Sequence, residues 1–130
     1  EPIQVYGDGL QSRCFSAVHD VVRGMQLLMD SKDAEGEIFN VGSDEEVSVM
    51  ELAQHIKRLC HSDSPIQTVA YEKVYGSSFE DMRRRVPDLR KIRRFVGYRP
   101  QTSLDRLLEI TIRDYCERMG IACPIEVSAA

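Results

Sequence analysis

The segment Ile38-Phe39-Asn40-Val41-Gly42-Ser43-Asp44-Glu45-Glu46-Val47-Ser48-Val49-Met50-Glu51-Leu52-Ala53 joins a strand signal to a helix signal. Ile38–Val41 is a short apolar run stopped by Gly42, the pattern of a strand ending in a turn. Ser48-Val49-Met50-Glu51 fits a capping box, in which serine and glutamate satisfy each other's unpaired backbone donors. Val49, Leu52, Ala53, Ile56 and Cys60 then fall on one side of the helix that follows. A strand handed directly to a capped helix is the repeating unit of α/β proteins.

The pattern continues in both directions. Ile3–Tyr6 reads as a strand closed by the turn Gly7-Asp8-Gly9, and Arg13–Val18 reads as extended, with Phe15 and Ala17 opposite Cys14 and Ser16. A helix starts near His19-Asp20, and Val18, Val21, Val22, Met25, Leu28 and Met29 give it an apolar face. Downstream, Ile66–Tyr71 alternates as a strand and 72–86 reads as a long loop, a length that is usually functional or mobile. Pro87 can open a short helix that Gly97 ends. Leu104, Leu107, Leu108, Thr111, Tyr115 and Met119 form the expected buried stripe of a last helix, which Gly120 stops. The expected class is α/β, or α+β for the chain in isolation, with short strands and about four helices. Residues 1–120 read as one domain and 121–130 as a flexible tail.

At 130 residues the chain is long enough for one core, and its 42% hydrophobic content is that of a globular protein. It has no apolar run of membrane-spanning length and no basic apolar leader. Its start at Glu1-Pro2-Ile3-Gln4 is the start expected of a piece of something larger. A net charge of −4 argues against general nucleic-acid binding, although basic residues concentrate between Arg83 and Arg99. Cys14, Cys60, Cys116 and Cys123 form no C-x-x-C pair, and the expectation is four reduced thiols in a cytoplasmic protein.

The motifs of catalysis are missing. Gly7-Asp8-Gly9 is the one candidate for a dinucleotide-binding turn, yet residue 12 is serine where G-x-G-x-x-G needs glycine. No tyrosine is followed by lysine at the Tyr-x-x-x-Lys spacing, and there is no serine elbow, Walker loop or H-E-x-x-H. His19, His55 and His61 are not spaced as metal ligands. Neither a catalytic nor a metal site is expected of this chain alone.

Several phrases resemble the C-terminal part of the extended short-chain dehydrogenase/reductases, the family of nucleotide-sugar epimerases, decarboxylases and dehydratases. Val5-Tyr6-Gly7-Asp8-Gly9-Leu10-Gln11-Ser12-Arg13-Cys14-Phe15 is similar to V-Y-G-x-G-x-Q-x-R-x-F, and Val18-His19-Asp20-Val21 to V-x-D-V. Phe39-Asn40-Val41-Gly42 is similar to F-N-x-G, Arg83-Arg84-Arg85-Val86-Pro87-Asp88 to R-R-x-P-D, and Gly97-Tyr98-Arg99-Pro100 to G-W/Y-x-P. Tyr75–Met82 is similar to the Y-G-x-G-F-E-D-M of a subset near UDP-glucuronate epimerases and decarboxylases, with Ser78 in place of glycine. Ala17 stands where many relatives carry tyrosine, a change expected to open the pocket wall.

The resemblance implies a division of labour. A Rossmann domain, absent from this chain and supplied in cis or in trans, would hold NAD and the catalytic Tyr/Lys pair. No cofactor is expected on this chain. In the family NAD supplies hydride chemistry at C4 of the sugar, followed by re-reduction from the other face or by loss of carbon dioxide. This part would grip the diphosphate of a UDP-sugar. Homo-oligomerisation or domain swapping is expected from apolar surface left uncovered, while nucleic acid and membrane are not expected partners.

The residues implied in substrate binding are Val5, Tyr6, Gly7, Gln11, Arg13, Phe15, Val49, Arg84 and Arg85. Arg13 matches the family's diphosphate-holding arginine, and a guanidinium suits bidentate phosphate contact; the alternative is a surface salt bridge. The Arg83-Arg84-Arg85 triplet either binds an anion or is a solvated basic run, with Glu80 and Asp81 able to compensate it in part. Arg85 matches an arginine given an auxiliary proton-donor role in decarboxylases, for which guanidinium is a poor acid at neutral pH. Val5, Tyr6 and Gly7 match a uracil cradle, though Tyr6 also fits an ordinary strand aromatic. Phe15 and Val49 match the nucleoside wall and also fit a plain core. Gln11 can contact ligand or stabilise the turn. Asp20 and Asp88 read as structural, through helix capping and the helix dipole. Two other classes of function stay open: a stand-alone anion- or nucleotide-binding module, and a gene fragment without function.

Overall fold

The computed structural model describes residues 1–76 and 81–125. The expectations placed on Ser78 and Glu80, and on 126–130, lie outside the described residues. Among these residues four strands, β1 (Ile3–Tyr6), β2 (Ser12–Cys14), β3 (Glu46–Ser48) and β4 (Ile66–Val69), are interspersed with five α-helices, the last three of which follow one another. These are α1 (Val18–Met29), α2 (Val49–Leu59), α3 (Tyr71–Tyr75), α4 (Arg90–Val96) and α5 (Leu104–Met119), and one 3-10 turn covers Lys32–Ala34. The strands form two short sheets, β1 with β4 and β2 with β3. β1 and β4 run parallel in the register Ile3↔Ile66 to Tyr6↔Val69. A parallel pair needs a crossover, which α2 provides.

The chain divides into two compact units. The first comprises 1–13, 47–84 and 108–130, and the second 14–46 and 85–107. In the first, Val5 on β1 is almost fully buried, with Val47, Ala53, Leu108 and Cys116 also inside. The capping box at the start of α2 forms as read: Ser48 Oγ accepts from Glu51 N at 3.1 Å, and Glu51 Oε2 accepts from Ser48 N at 2.9 Å.

In the second unit Tyr98, Ile92 and Leu89 are buried together, with Phe39, Val41, Leu27 and Leu28 packed on them. Tyr98 Oη donates to Gly42 O at 2.9 Å. A Cβ at Gly24 would come within 2.9 Å of the Tyr98 ring, so glycine there lets α1 approach it closely. Asp20 lies in the first turn of α1 but does not cap it; it accepts from the Gln101 and Thr102 backbone N–H groups and from Arg23, a structural role other than the capping expected.

Four local expectations are corrected. Ile38–Val41 is not a strand, because it has no neighbouring strand to pair with among the described residues; Ile38 is 86% exposed. The helix expected from Pro87 begins at Arg90, because Asp88 Oδ1 accepts from Arg90 N and starts the turn there. Residues 71–75, read largely as loop, form α3, and Arg84 makes an isolated parallel bridge to Ser12. On α5, Leu104 and Leu108 are buried, yet Thr111, Tyr115 and Met119 are exposed and Cys116 is the buried residue of the later turns. The apolar face of α1 is likewise mostly in solvent, with Val18, Val22, Met25 and Met29 exposed. Gly24 and Asp20 are its buried positions.

Candidate functional site

The candidate site lies in the first unit, where β1 turns back into β2. Gly7 and Gly9 both take left-handed backbone conformations, φ +73° and +74°. A Cβ at Gly7 would meet the Tyr71 ring at 2.4 Å, and one at Gly9 would meet Val5 and Met50 at 2.9–3.0 Å. The tight turn therefore depends on glycine at both positions. It leads into a strand, and the backbone N–H groups of Val49 and Met50 at the start of α2 are already engaged by Gln11 O at 3.0 Å and Gly9 O at 2.9 Å, so the turn is not built as the strand-to-helix cradle of a dinucleotide pyrophosphate.

Behind the turn lies a chain of polar side chains. Gln11, 6% exposed, donates through Nε2 to Tyr6 O at 3.0 Å and to Tyr71 Oη at 2.8 Å. Tyr71 Oη donates in turn to Asp81 Oδ2 at 3.0 Å, and Asp81 Oδ1 receives Arg13 Nη2 at 2.5 Å. Arg13 is further fixed through Nη1 to the carbonyls of Ser12 and Met82, at 2.7 and 2.8 Å. With its side chain only 20% exposed, Arg13 is a largely desolvated cation held in place by backbone and one carboxylate. Burial pushes the Tyr71 hydroxyl above its ordinary value, and the hydrogen bond to Asp81 and the charge of Asp81 add to the rise. Tyr71 thus stays a neutral donor at physiological pH. Gln11 Oε1 is buried without a hydrogen-bond partner among the described residues. A buried acceptor left unpaired carries a desolvation cost until a donor, from water or from a ligand, reaches it.

Arg83 pairs with Asp8 at 2.6 Å on the solvent side. The Leu10 backbone N–H first, and then Arg83, hold the Asp8 carboxyl below its ordinary value. Arg84 is exposed. Tyr6 is half-buried with its ring edge-on to Tyr75, centroids 5.9 Å apart, and Val49 is half-buried at the start of α2. Val5 is a core residue. So Tyr6, Gly7, Gln11 and Arg13 meet in one place, joined by Tyr71 and Asp81. Phe15 and Arg85 belong to the second unit, where both are exposed.

Tyr71 escaped the sequence reading. It stands at the end of an alternating strand pattern, and its hydroxyl is brought to Gln11 and Asp81 by α3, which has no strong local signal. Asp81 was read as compensation for the arginine triplet and is instead the partner of Arg13. The one available signal was that Arg13 matched a family phrase and so needed a counter-charge when no ligand is bound.

In the second unit the basic run lines a cavity of about 300 Å³ formed by Asp88, Arg90, Lys91, Arg94 and Phe95. Asp88 is drawn down to about 2, chiefly by the Arg90 side chain and then by its backbone N–H. Among the described residues no cluster of His, Cys, Asp and Glu could hold a metal ion, and no helix is long and apolar enough to cross a membrane.

Known proteins resemble the chain over most of its length. The profile of the family described as GDP-mannose 4,6 dehydratase matches residues 1–111. The chain is 42% identical over 117 residues to the UDP-N-acetyl-alpha-D-glucosaminuronate decarboxylase of Bacillus cytotoxicus, covering 90% of this chain and 36% of that protein. It superposes on the UDP-glucose 4-epimerase of Thermotoga maritima, solved with UDP-glucose, with TM-score 0.79 and 26% identity, covering 92% of this chain and 36% of that one. The dTDP-glucose 4,6-dehydratase of Streptomyces venezuelae, solved with NAD bound, gives TM-score 0.78 and 32% identity, covering 92% and 35%. The chain spans about a third of the length of these proteins, over the C-terminal portion of their fold.

Proposed function

The chain belongs to the GDP-mannose 4,6-dehydratase family of extended short-chain dehydrogenases, and from that premise we propose that it is the UDP-sugar-recognising part of a cytoplasmic NAD-dependent 4-epimerase or decarboxylase. The observation that carries this reading is Arg13, a mostly buried guanidinium whose partners, Asp81 and two carbonyls, anchor it beside the Gly7–Gly9 turn. A cation preorganised in that way stabilises a diphosphate at little cost in side-chain entropy. Binding would exchange the Asp81 carboxylate for a phosphate oxygen. Gln11 Oε1, buried and unpaired, is the acceptor for an N–H of the nucleoside base, and the backbone of Val5, Tyr6 and Gly7 forms the floor beneath it. Val49 would contribute to the nucleoside wall and Arg84 a second cation. Phe15 and Arg85 are assigned to substrate on sequence likeness alone.

NAD would supply the hydride chemistry from a Rossmann domain provided in cis or in trans. This chain's part is binding and orientation. The exposed apolar stripe of α1, Val18, Val22, Met25 and Met29, and the unpaired Ile38–Val41 segment, are the surfaces that domain or a second copy would cover.

The test is a calorimetric titration of the chain with UDP, UDP-glucose and UDP-glucuronate, with Arg13→Ala and Arg85→Ala as controls. The expected result is saturable UDP binding weakened on the order of tenfold or more in Arg13→Ala, the size of a lost charge-assisted hydrogen bond. Equal binding of inorganic polyphosphate and UDP would favour a general anion-binding module instead.

A further inference from the structure

The cavity of about 300 Å³ on α4 is lined by three cations, one carboxylate and one aromatic ring: Arg90, Lys91, Arg94, Asp88 and Phe95. The three cations are not equally available. Arg90 is clasped by Asp88, whose two oxygens each accept from Arg90 Nε at 3.0 Å, with Oδ2 also accepting from Nη2 at 2.6 Å. Lys91 Nζ donates to Glu37 Oε2 at 2.5 Å and to Ile38 O at 3.0 Å, and lies 4.7 Å from the centre of the Phe39 ring. Arg94 is exposed and makes no hydrogen bond or ion pair with any described residue; only its charge reaches Asp88. The backbone adds no donor at Arg90, because Asp88 Oδ1 takes that N–H at 2.9 Å. Next to Arg94, Phe95 is 43% exposed although its ring stands edge-on to Phe39, centroids 5.1 Å apart.

We propose that this cavity binds a small monocarboxylate carrying an aromatic or other compact apolar group, with the carboxylate on Arg94 and the apolar part on the open side of Phe95. The binding is non-covalent, and the proposal is independent of the reading of Arg13 in the first unit. Charge matching sets the ligand's charge. Asp88 answers Arg90 and Glu37 answers Lys91, so Arg94 is the one lining cation left to answer. A guanidinium meets a carboxylate through two parallel N–H···O bonds. Asp88, held at about 2 chiefly by the Arg90 side chain, stays ionised at neutral pH and disfavours a doubly charged phosphate in the same cavity. A solvated guanidinium alone holds an anion weakly and without preference, and the apolar face beside it supplies the selection. The volume is at the lower end of small-molecule sites, which span roughly 300–1,000 Å³.

The experiment titrates phenylacetate into the 130-residue chain at fixed ionic strength and follows the amide NMR signals of residues 90–95. Acetate, benzyl alcohol and inorganic phosphate are the comparison probes. The expected result is saturable phenylacetate binding at roughly millimolar affinity, with acetate and benzyl alcohol each about fivefold weaker or more. Arg94→Gln should weaken phenylacetate about tenfold, the size of a lost charge-assisted hydrogen bond. Since Arg94 is exposed, the variant should keep the spectrum of the unsubstituted chain outside α4. Absence of saturation, acetate matching phenylacetate, phosphate binding at least as tightly, or shifts undiminished in Arg94→Gln would each overturn the proposal. Phenylacetate shifts confined to residues 6–13 would overturn it as well, by making Arg13 the partner of the carboxylate.

Discussion

The two units spend their polar groups differently. In the second, where Arg93 Nε is a buried donor without a partner among the described residues, several polar groups hold the chain to itself: Asp20 ties down Gln101 and Thr102, Tyr98 Oη binds Gly42 O, and Ser16 Oγ accepts from Ser43 N. In the first, the polar chain Gln11–Tyr71–Asp81–Arg13 ends at one side in the Arg13–Asp81 ion pair and at the other in Gln11 Oε1, which has no partner among the described residues. A satisfied network rigidifies, whereas one left incomplete marks where a ligand is to finish it. On the proposed function, the second unit would serve stability and the first recognition.

Substitutions in the two units should separate these roles. The largest effect is expected from Tyr98→Ala, which removes a fully buried ring; a loss of about 3–5 kcal/mol should show in denaturant unfolding. Next is Asp20→Asn, expected to cost about 1–3 kcal/mol at pH 7 by weakening a buried acceptor of three hydrogen bonds. Burial alone would raise the Asp20 carboxyl, but Arg23, Thr102 and Gln101 outweigh it and the net shift is downward. A lowered folded value gives stability that is full above the unfolded value near 3.8 and is lost as pH falls through the folded one. The gap between Asp20→Asn and the unsubstituted chain should therefore narrow in acid, and a gap that persists there would reject a charge-based role. In the first unit, Ser48→Ala should cost about 1 kcal/mol through the lost cap, read by thermal unfolding, with ligand binding retained. Smallest in energy is Asp81→Asn. Freeing Arg13 from a competing carboxylate should tighten UDP about two- to fivefold at low salt, the worth of a partly exposed ion pair. Weaker binding in Asp81→Asn would mean that Asp81 positions Arg13 without competing for it.

Much of this was legible in the residues, and the gaps have physical causes. The capping box of α2, the glycine stop of α5 and the Gly7–Gly9 turn are local events, determined by a few neighbouring side chains and by backbone conformations that glycine alone adopts freely. Ile38–Val41 has the composition of a strand but is not one here, because a strand exists only with a partner to pair with. The stripe of α5 was misplaced for a related reason: periodicity says which residues share a face, whereas neighbours decide how far along the helix that face is covered. At the site, the importance of Arg13 was readable from its phrase. The involvement of Tyr71 and Asp81 was not, because their meeting with Gln11 and Arg13 bridges some 60 to 70 residues of sequence.

The most direct test is an amide NMR titration of the chain with UDP, comparing the two units. The account predicts saturable shifts concentrated in Tyr6–Arg13 and around Tyr71 and Asp81, abolished by Arg13→Ala, with the Leu89–Tyr98 amides little changed. Shifts confined to the basic residues of α4, or undiminished in Arg13→Ala, would contradict it.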